Sequence, residues 1–427
     1  MMTSRRDFIH KSALGAFGLP MVIHDFNLVK PSDKIRMGII GMGFIGEAHL
    51  KWFASHTDVD IVAICDVDEN RLKEKEKLLA TLRPRQKVKL YKDFRHMLDR
   101  KDIDAISCAT PDHWHALITI MAFESGKDVY GEKPLSHNIR EGQAMLECMK
   151  KNNRIFQLGT QIHSGENYHR VVELIKSNIL GKIHTVRLWK TGGSPNLGFP
   201  APGTPPRHLD WDMWLGPAPF EAYTPVRCHG TYRHFLDYSG GVFGDFWCHI
   251  ADVMYMALNP SGLKQITSRG ERPLNGIADT PAWLDVDFKY DNLNVFWTTV
   301  PPVHDAKGMH IGAYFEGSEG FLLCDYDNRK IFIDNQELSD ITDVPKTLER
   351  SPGHQRNFLD AVKSRKQPES NLAYAHKMTL PMHLALISYR LKRPVEWNEG
   401  TERFSNDSAA NYLLSREYRN PWKLPKH

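Results

Sequence analysis

Residues 37–50 read MGIIGMGFIGEAHL. An apolar run enters three glycines, Gly41, Gly43 and Gly46, spaced Gly-x-Gly-x-x-Gly, and leaves as a helical pattern. A strand that turns so tightly into a helix leaves few folds open. The first glycine makes the turn, the second lets a bound group approach the backbone, and the third lets helix and strand pack closely while the helix N-terminus faces a phosphate. Read alone, the motif could be a structural turn, because glycine pairs serve many turns. Asp66 argues otherwise: it closes VAICD, 20 residues after Gly46, where the second strand should end. A carboxylate there accepts both hydroxyls of a ribose and repels a ribose phosphate, so the expected cofactor is NAD rather than NADP. Arg71, on the next helix, could in principle reach a 2′-phosphate.

From Lys34 onward, short β-type runs alternate with helical periodicity. Helices are expected at about 46–56, 69–82, 94–99, 114–125 and 139–152, between the runs IRMGII, VDIVAICD, KVKLY, IDAISCAT, DVYGE and RIFQLGTQ. Strand and helix in strict alternation mean a parallel sheet with helices on both faces. Past residue 160 the texture changes to longer strands with alternating faces, at about 265–268, 282–290, 293–299, 311–316, 320–326 and 330–334. Helices at 168–177, 354–363 and 376–391 complete the pattern, the last two expected to close on the second sheet. A Pro- and Gly-rich stretch, 191–219, is too long for a hairpin and is read as an excursion near the site. The fold class is therefore α/β: an N-terminal doubly wound Rossmann domain over 33–157, then an α/β domain over 158–427 with a large, open, mostly antiparallel sheet.

Of the 427 residues, 41% are hydrophobic and 25% charged, enough for a sizeable core. The net charge of +4 is spread along the chain, which gives no reason to expect nucleic acid. No stretch has the apolar length of a membrane span. The six cysteines form no CxxC pair and most fall in apolar patterns, so they read as core residues, with a disulfide allowed but not implied, and not as structural zinc ligands. The chain opens Thr3-Ser4-Arg5-Arg6-Asp7-Phe8, with a short apolar run after it. Paired arginines of this kind resemble a twin-arginine export signal, so residues 1–32 are read as export signal and linker, with a periplasmic destination. An ordinary amphipathic helix is the alternative.

Three further motifs carry chemistry. Thr110-Pro111-Asp112-His113-Trp114-His115 follows the fourth strand and Glu132-Lys133-Pro134 the fifth, both at the carboxyl edge where a doubly wound sheet binds ligands. Gly240-Gly241 leads into a helical run whose spacing puts Asp245, His249 and Asp252 on one face. His113 and His115, two residues apart, diverge by about half a turn and suit no metal; a contact near the cofactor, or a helix cap by Asp112, fits better. Read singly, Lys133 is a surface lysine before a turn proline and His249 a satisfied helix histidine. Asp252 is either an acidic partner of His249 or a solvated residue.

Together these motifs resemble the glucose-fructose oxidoreductase / inositol dehydrogenase / rhizopine catabolism family over about residues 34–260. WDMWLGPAP and REYRNPW are similar to its exported members. The family pattern has Asn where Asp112 stands. The resemblance implies that Lys133 pairs with the reacting hydroxyl, that His249 is the general acid/base and that Asp245 neighbours it, all three touching substrate with His163 and Arg233. Gly41, Gly43, Phe44, Ile45, Gly46, Asp66, Thr110, Pro111, His115, Glu132, Lys133 and Gln161 are the implied cofactor contacts. The chemistry agrees, since hydride leaves a carbinol only as its hydroxyl proton leaves, and histidine titrates near neutrality. The expected activity is NAD-dependent oxidation of a sugar or cyclitol hydroxyl; Trp211, Trp214, Tyr232, His234 and Tyr238 suit stacking and polar contacts with a carbohydrate, but such aromatics are more often core, so the substrate class rests mainly on the resemblance. A redox-neutral glycosidase with tightly held cofactor and a non-catalytic NAD sensor are the alternatives. The uncovered sheet face suggests a homo-oligomer, dimer or tetramer.

Overall fold

Six parallel strands form the first sheet of the computed structural model, which describes residues 33–338 and 343–425. The expected export segment, 1–32, lies outside the described residues. Strands β1 (Ile35–Ile40), β2 (Val59–Cys65), β3 (Lys89–Tyr91), β4 (Ala105–Cys108), β5 (Asp128–Glu132) and β6 (Phe156–Gly159) take the order β3-β2-β1-β4-β5-β6. The order reverses between β1 and β4, which opens a crevice at their carboxyl ends. Helices α1 (Phe44–Ala54), α2 (Glu69–Leu82), α3 (Phe94–Leu98), α4 (His115–Glu124) and α5 (Ile139–Asn152) connect the strands. Short polar side chains start three of them: Asp68 accepts the N–H of Asn70, Asp93 that of Arg95 and Asn138 that of Glu141. Strands β4, β5 and β6 are buried along their whole length, as helices on both faces require.

After α6 (Glu166–Lys176) the chain builds a ten-stranded sheet. Its members are β7 (Ile183–Lys190), β8 (Gln265–Glu271), β9 (Trp283–Lys289), β10 (Asn294–Thr298), β11 (Ile311–Gly317), β12 (Gly320–Cys324), β13 (Arg329–Ile333), β14 (Gln336–Leu338), β15 (Val395–Asn398) and β16 (Arg403–Phe404). Their order is β14-β13-β12-β11-β7-β10-β9-β8-β15-β16, with β7 and β10 parallel and the other pairs antiparallel. Strand β9 shows that one face is covered: Leu284, Val286 and Phe288 are buried, while Trp283 and Lys289, at its two ends on the other face, are exposed. Two helices lie on the covered face, α8 (Gly241–Leu258) and α10 (Leu372–Leu391).

One expectation needs correction. The helix α9 (His354–Ser364) closes on the first sheet and not on the second. Its Phe358 ring meets Phe53 at 6.3 Å and Tyr130 at 5.7 Å, so its apolar side completes the Rossmann core. The excursion after β7 is pinned to the first domain. Glu69 donates its N–H to the carbonyl of His208, and Asp210 to that of Val67, before a short helix, α7 (Trp211–Leu215). All six cysteines are free and five are buried. No helix among the described residues is long and apolar enough to cross a membrane.

Trp247 anchors α8 to the second sheet. It is fully buried, its ring lies 5.1 Å from Phe288, and its indole N–H donates to the Met378 carbonyl at 2.7 Å. Trp247→Ala is expected to cost about 3–5 kcal/mol, read as a lower urea midpoint with unchanged slope; a midpoint equal to the wild type's would contradict the packing.

Candidate active site

The glycine loop is built as the sequence required. Gly41 has φ 89°, and a Cβ there would lie 2.5 Å from the Ala109 carbonyl oxygen at the end of β4. A Cβ on Gly46 would lie 1.8 Å from the Gly41 carbonyl oxygen. At Gly43 the added carbon would meet the Arg71 guanidinium at 2.7 Å, so that cation stands over the loop. Phe44 is 68% exposed on the first turn of α1, and Ile45 is half-buried beside it. This cradle of close backbone, a helix N-terminus and a cation fits a dinucleotide pyrophosphate. Asp66 ends β2, as expected, and is buried. Its carboxylate accepts the backbone N–H of Met42 at 2.6 Å and of Asp68 at 2.8 Å, bonds that oppose the upward push of burial on its pKa. It therefore holds the turn after β2.

The two loops after β4 and β5 are tied together. His115 is buried, with Nδ1 2.7 Å from the Pro134 carbonyl oxygen and Nε2 2.9 Å from that of Thr110. Its ring nitrogens meet protein carbonyls, so any effect on a cofactor passes through Thr110, Pro111 and Pro134. His113 is fully buried, 3.1 Å from the Trp214 carbonyl, and burial pushes it down to about 3. Asp112 caps no helix: it accepts the hydroxyls of Ser239 at 2.5 Å and Tyr232 at 3.2 Å and so joins the first domain to the second. No group of three or more His, Cys, Asp or Glu among the described residues could hold a metal ion.

Lys133 crosses from the first domain to the second. Its Nζ donates to Asp245 twice, to the backbone oxygen at 2.7 Å and to Oδ1 at 2.5 Å. The other carboxylate oxygen of Asp245 lies 3.0 Å from Arg233 Nε. Burial works to raise the Asp245 pKa, but the charges of Arg233 and then Lys133 outweigh it and hold the carboxyl well below the usual range. His249, one turn further on α8, is half-buried, and none of the described residues hydrogen-bonds its ring nitrogens. Burial, then the charge of Lys133, lowers it to about 4. At neutral pH it is an uncharged imidazole with a lone pair available, next to an ammonium group. Tyr168 fixes its backbone by donating to the His249 carbonyl at 3.0 Å.

Asp252 is neither a partner of His249 nor solvated. It is fully buried and receives His163 Nδ1 at 3.0 Å and the Tyr374 hydroxyl at 2.6 Å. Burial would lower the His163 pKa, but Asp252 and the more distant Glu369 raise it. His163 is thus engaged below the site. Of the two readings of the aromatic residues, the core one holds. Trp211, Trp214, Tyr232 and Tyr238 are buried in one core cluster, the two indoles stacked at 4.7 Å, and they offer no open ring face to a sugar. The His234 Nδ1 lies 3.0 Å from the Ser194 hydroxyl.

Beneath Lys133 lies a group that the sequence reading took only in part. Glu132 is 4% exposed and accepts from Gln161 Nε2 at 2.8 Å, His49 Nε2 at 2.9 Å and the Lys133 N–H at 3.3 Å. Burial pushes its pKa up, yet His49, with Lys133 and Gln161, brings it down to about 2. His49 and Ser107 went unmarked in the sequence; the one signal for His49 was its place three residues past Gly46. Ionised Glu132 adds stability that is complete above about pH 4.3, the ordinary glutamate value, and is lost as the pH falls towards about 2. Glu132→Gln is expected to flatten the fall of the urea midpoint across that window, and an unchanged slope with pH would contradict an ionised Glu132.

Residues 35–160 match the model of an oxidoreductase family described as an NAD-binding Rossmann fold, and residues 173–424 match that family's C-terminal alpha/beta domain. The chain is 31% identical over 161 residues to the myo-inositol 2-dehydrogenase of Thermotoga maritima, covering 38% of this chain and 46% of that one. It is 27% identical over 204 residues to a glycosyl hydrolase family 109 protein of Shewanella pealeana, 43% of this chain and 45% of the relative. The matched stretches thus span less than half the length of these curated relatives. In fold it is similar to the WlbA dehydrogenase from Bordetella pertussis, solved with NADH and UDP-GlcNAcA (TM-score 0.65, 16% identity, 86% and 99% of the two chains). Levoglucosan dehydrogenase, solved with NADH and levoglucosan, is also similar (TM-score 0.62, 18% identity, 85% and 99%). The two family models together take in nearly all of the described chain, which belongs to the glucose-fructose oxidoreductase / inositol dehydrogenase / rhizopine catabolism family of NAD-binding oxidoreductases.

Proposed function

We propose that the protein oxidises a hydroxyl of a sugar, cyclitol or derivative by hydride transfer to a tightly held NAD. The observation that carries this reading is the Lys133–Asp245 pair with the unpartnered His249 one turn away, beside the glycine cradle. NAD, when bound, supplies the hydride acceptor. The neutral His249 takes the hydroxyl proton, and the Lys133 ammonium donates to the oxygen as negative charge develops on it. Asp245 keeps Lys133 aimed across the cleft, and Arg233 keeps Asp245 in place. The alcohol loses one hydride and one proton and becomes a ketone, so the step balances. The myo-inositol and levoglucosan enzymes named above support a polyol or sugar as the substrate class.

A second reading has its own support in the glycosyl hydrolase family 109 relative. Oxidation of a ring hydroxyl acidifies the neighbouring C–H, which permits elimination of a glycosidic substituent; water then adds and the ketone is reduced again. Such a cycle needs no external oxidant. It suits the periplasmic location that Arg5-Arg6 suggest, where released NADH is not readily reoxidised. We also read the open face of the second sheet, where Arg187 stacks on Phe296 at 4.7 Å and Phe321 on Phe332 at 4.5 Å, as the surface through which copies associate. Sedimentation at a monomer mass would remove that part.

One pair of assays separates the readings. Free sugars and cyclitols with NAD are expected to give net NADH; aglycone release from aryl glycosides without net NADH would favour the redox-neutral cycle, and neither would favour a non-catalytic sensor. Lys133→Met is expected to lower turnover at least about a hundredfold with nucleotide still retained, and unaltered turnover would remove Lys133 from the chemistry. The acid limb of kcat/KM should fall near pH 4, where His249 takes up its proton, and not near the ordinary histidine value. A limb unmoved in His249→Asn would exclude His249 as its source.

A further inference from the structure

We propose that His49 is a positioning residue for Lys133, acting through Glu132 from the helix that carries the glycine cradle. The proposal rests on the reading of Lys133 as the group at the reacting hydroxyl. His49 is fully buried one turn past Gly46, and neighbouring rings frame it, Tyr130 at 5.1 Å and Trp52 at 5.5 Å. Both of its ring nitrogens have partners. Nδ1 lies 2.5 Å from the Ser107 hydroxyl on β4, and Nε2 lies 2.9 Å from Glu132 Oε1 at the end of β5. A serine hydroxyl can donate to Nδ1, whereas an ionised carboxylate can only accept. Glu132 therefore requires the proton on Nε2, and the Ser107 hydroxyl, which can donate or accept, holds the Nδ1 edge of the ring in place.

Lys133 needs that support because of where β5 stops. The last ladder pair with β6 is Glu132 with Gly159, so the backbone of Lys133 has left the sheet. Its N–H is held instead by Glu132 Oε2 at 3.3 Å. The carboxylate fits closely against β6: a Cβ on Gly159 would come within 2.5 Å of Oε1, so only glycine there leaves it room. Donors from α1, from the loop after β6 and from Lys133 itself converge on the two oxygens. Loss of the His49 donor leaves a buried carboxylate short of one hydrogen bond, which makes it turn or take up a proton. Either response moves the Lys133 backbone. Because Lys133 Nζ must still reach Asp245 on the other domain, a small backbone shift becomes a misplaced ammonium at the reacting oxygen.

Two substitutions isolate this role. In His49→Gln the new side-chain amide nitrogen can stand where Nε2 stood, whereas the shorter side chain of His49→Asn reaches only the Nδ1 position and cannot donate to Glu132. His49→Asn is expected to lower kcat at least about tenfold, with NAD affinity and substrate KM within about threefold of wild type. His49→Gln should stay within about threefold of wild type in all three. Crystal structures of the two should show Lys133 Nζ displaced from Asp245 in the first and in place in the second. Equal losses in both variants, a loss confined to NAD affinity or KM, or an undisturbed Lys133 in His49→Asn would overturn the proposal. If His49→Asn does not fold, Ser107→Ala carries the test, since it keeps the ring but removes the anchor on its Nδ1 edge that aims Nε2 at Glu132: lowered kcat at constant KM supports the role, and unchanged kcat overturns it. Wild-type protein that turns over no sugar or cyclitol would defeat the functional reading, and the two crystal structures would still decide the positioning.

Discussion

The contact between Lys133 and Asp245 is the constraint on which the site depends. Lys133 leaves the last strand positions of a parallel sheet, and Asp245 sits on the first turns of a helix packed against a mostly antiparallel one. Two charges brought together at a partly buried boundary need each other, because either alone would be left poorly solvated. Arg233 adds a second cation to the same carboxylate. The result is an ammonium group held rigidly between two domains, beside an uncharged histidine. That arrangement is costly to desolvate and useful for chemistry that moves a proton and a hydride together.

The surrounding structure serves to hold that contact in place. On the first domain, Glu132 and His49 fix the backbone from which Lys133 departs, while His115 ties the Thr110 and Pro134 loops together. On the second, Trp247 seats α8 on its sheet, and His163 with Tyr374 satisfies Asp252 on the buried side of the same helix. The free imidazole of His249 thus projects from a helix whose other polar groups are occupied.

Much of the fold was legible in the sequence, for identifiable reasons. Strands β1 to β6 and helices α1 to α5 follow strong local periodicity, and the 69–82 and 139–152 helices fall where their Asp68 and Asn138 caps start them. The short strands β14 to β16 carry too few residues to show a pattern, and α9 joins the first core through Phe358, a contact made across some three hundred residues that no local signal could reveal. At the site, Gly41, Gly43, Gly46, Lys133, Asp245 and His249 stood out because motif and spacing coincide. Asp252 was misassigned since helical spacing shows a shared face but not the neighbours packed beneath it. For the same reason spacing alone could not decide whether Trp211 and Trp214 face a sugar or the core, where they lie. His49 escaped notice because its partners, Ser107 and Glu132, come from other strands.

The most direct test of the account is a crystal structure of the protein with NAD and a polyol or sugar that it oxidises. The reacting hydroxyl is predicted to lie within hydrogen-bond distance of both Lys133 Nζ and a ring nitrogen of His249, with Asp245 still paired to Lys133. A hydroxyl bound out of reach of both groups, or a Lys133 side chain turned away from the cleft when cofactor is present, would contradict it.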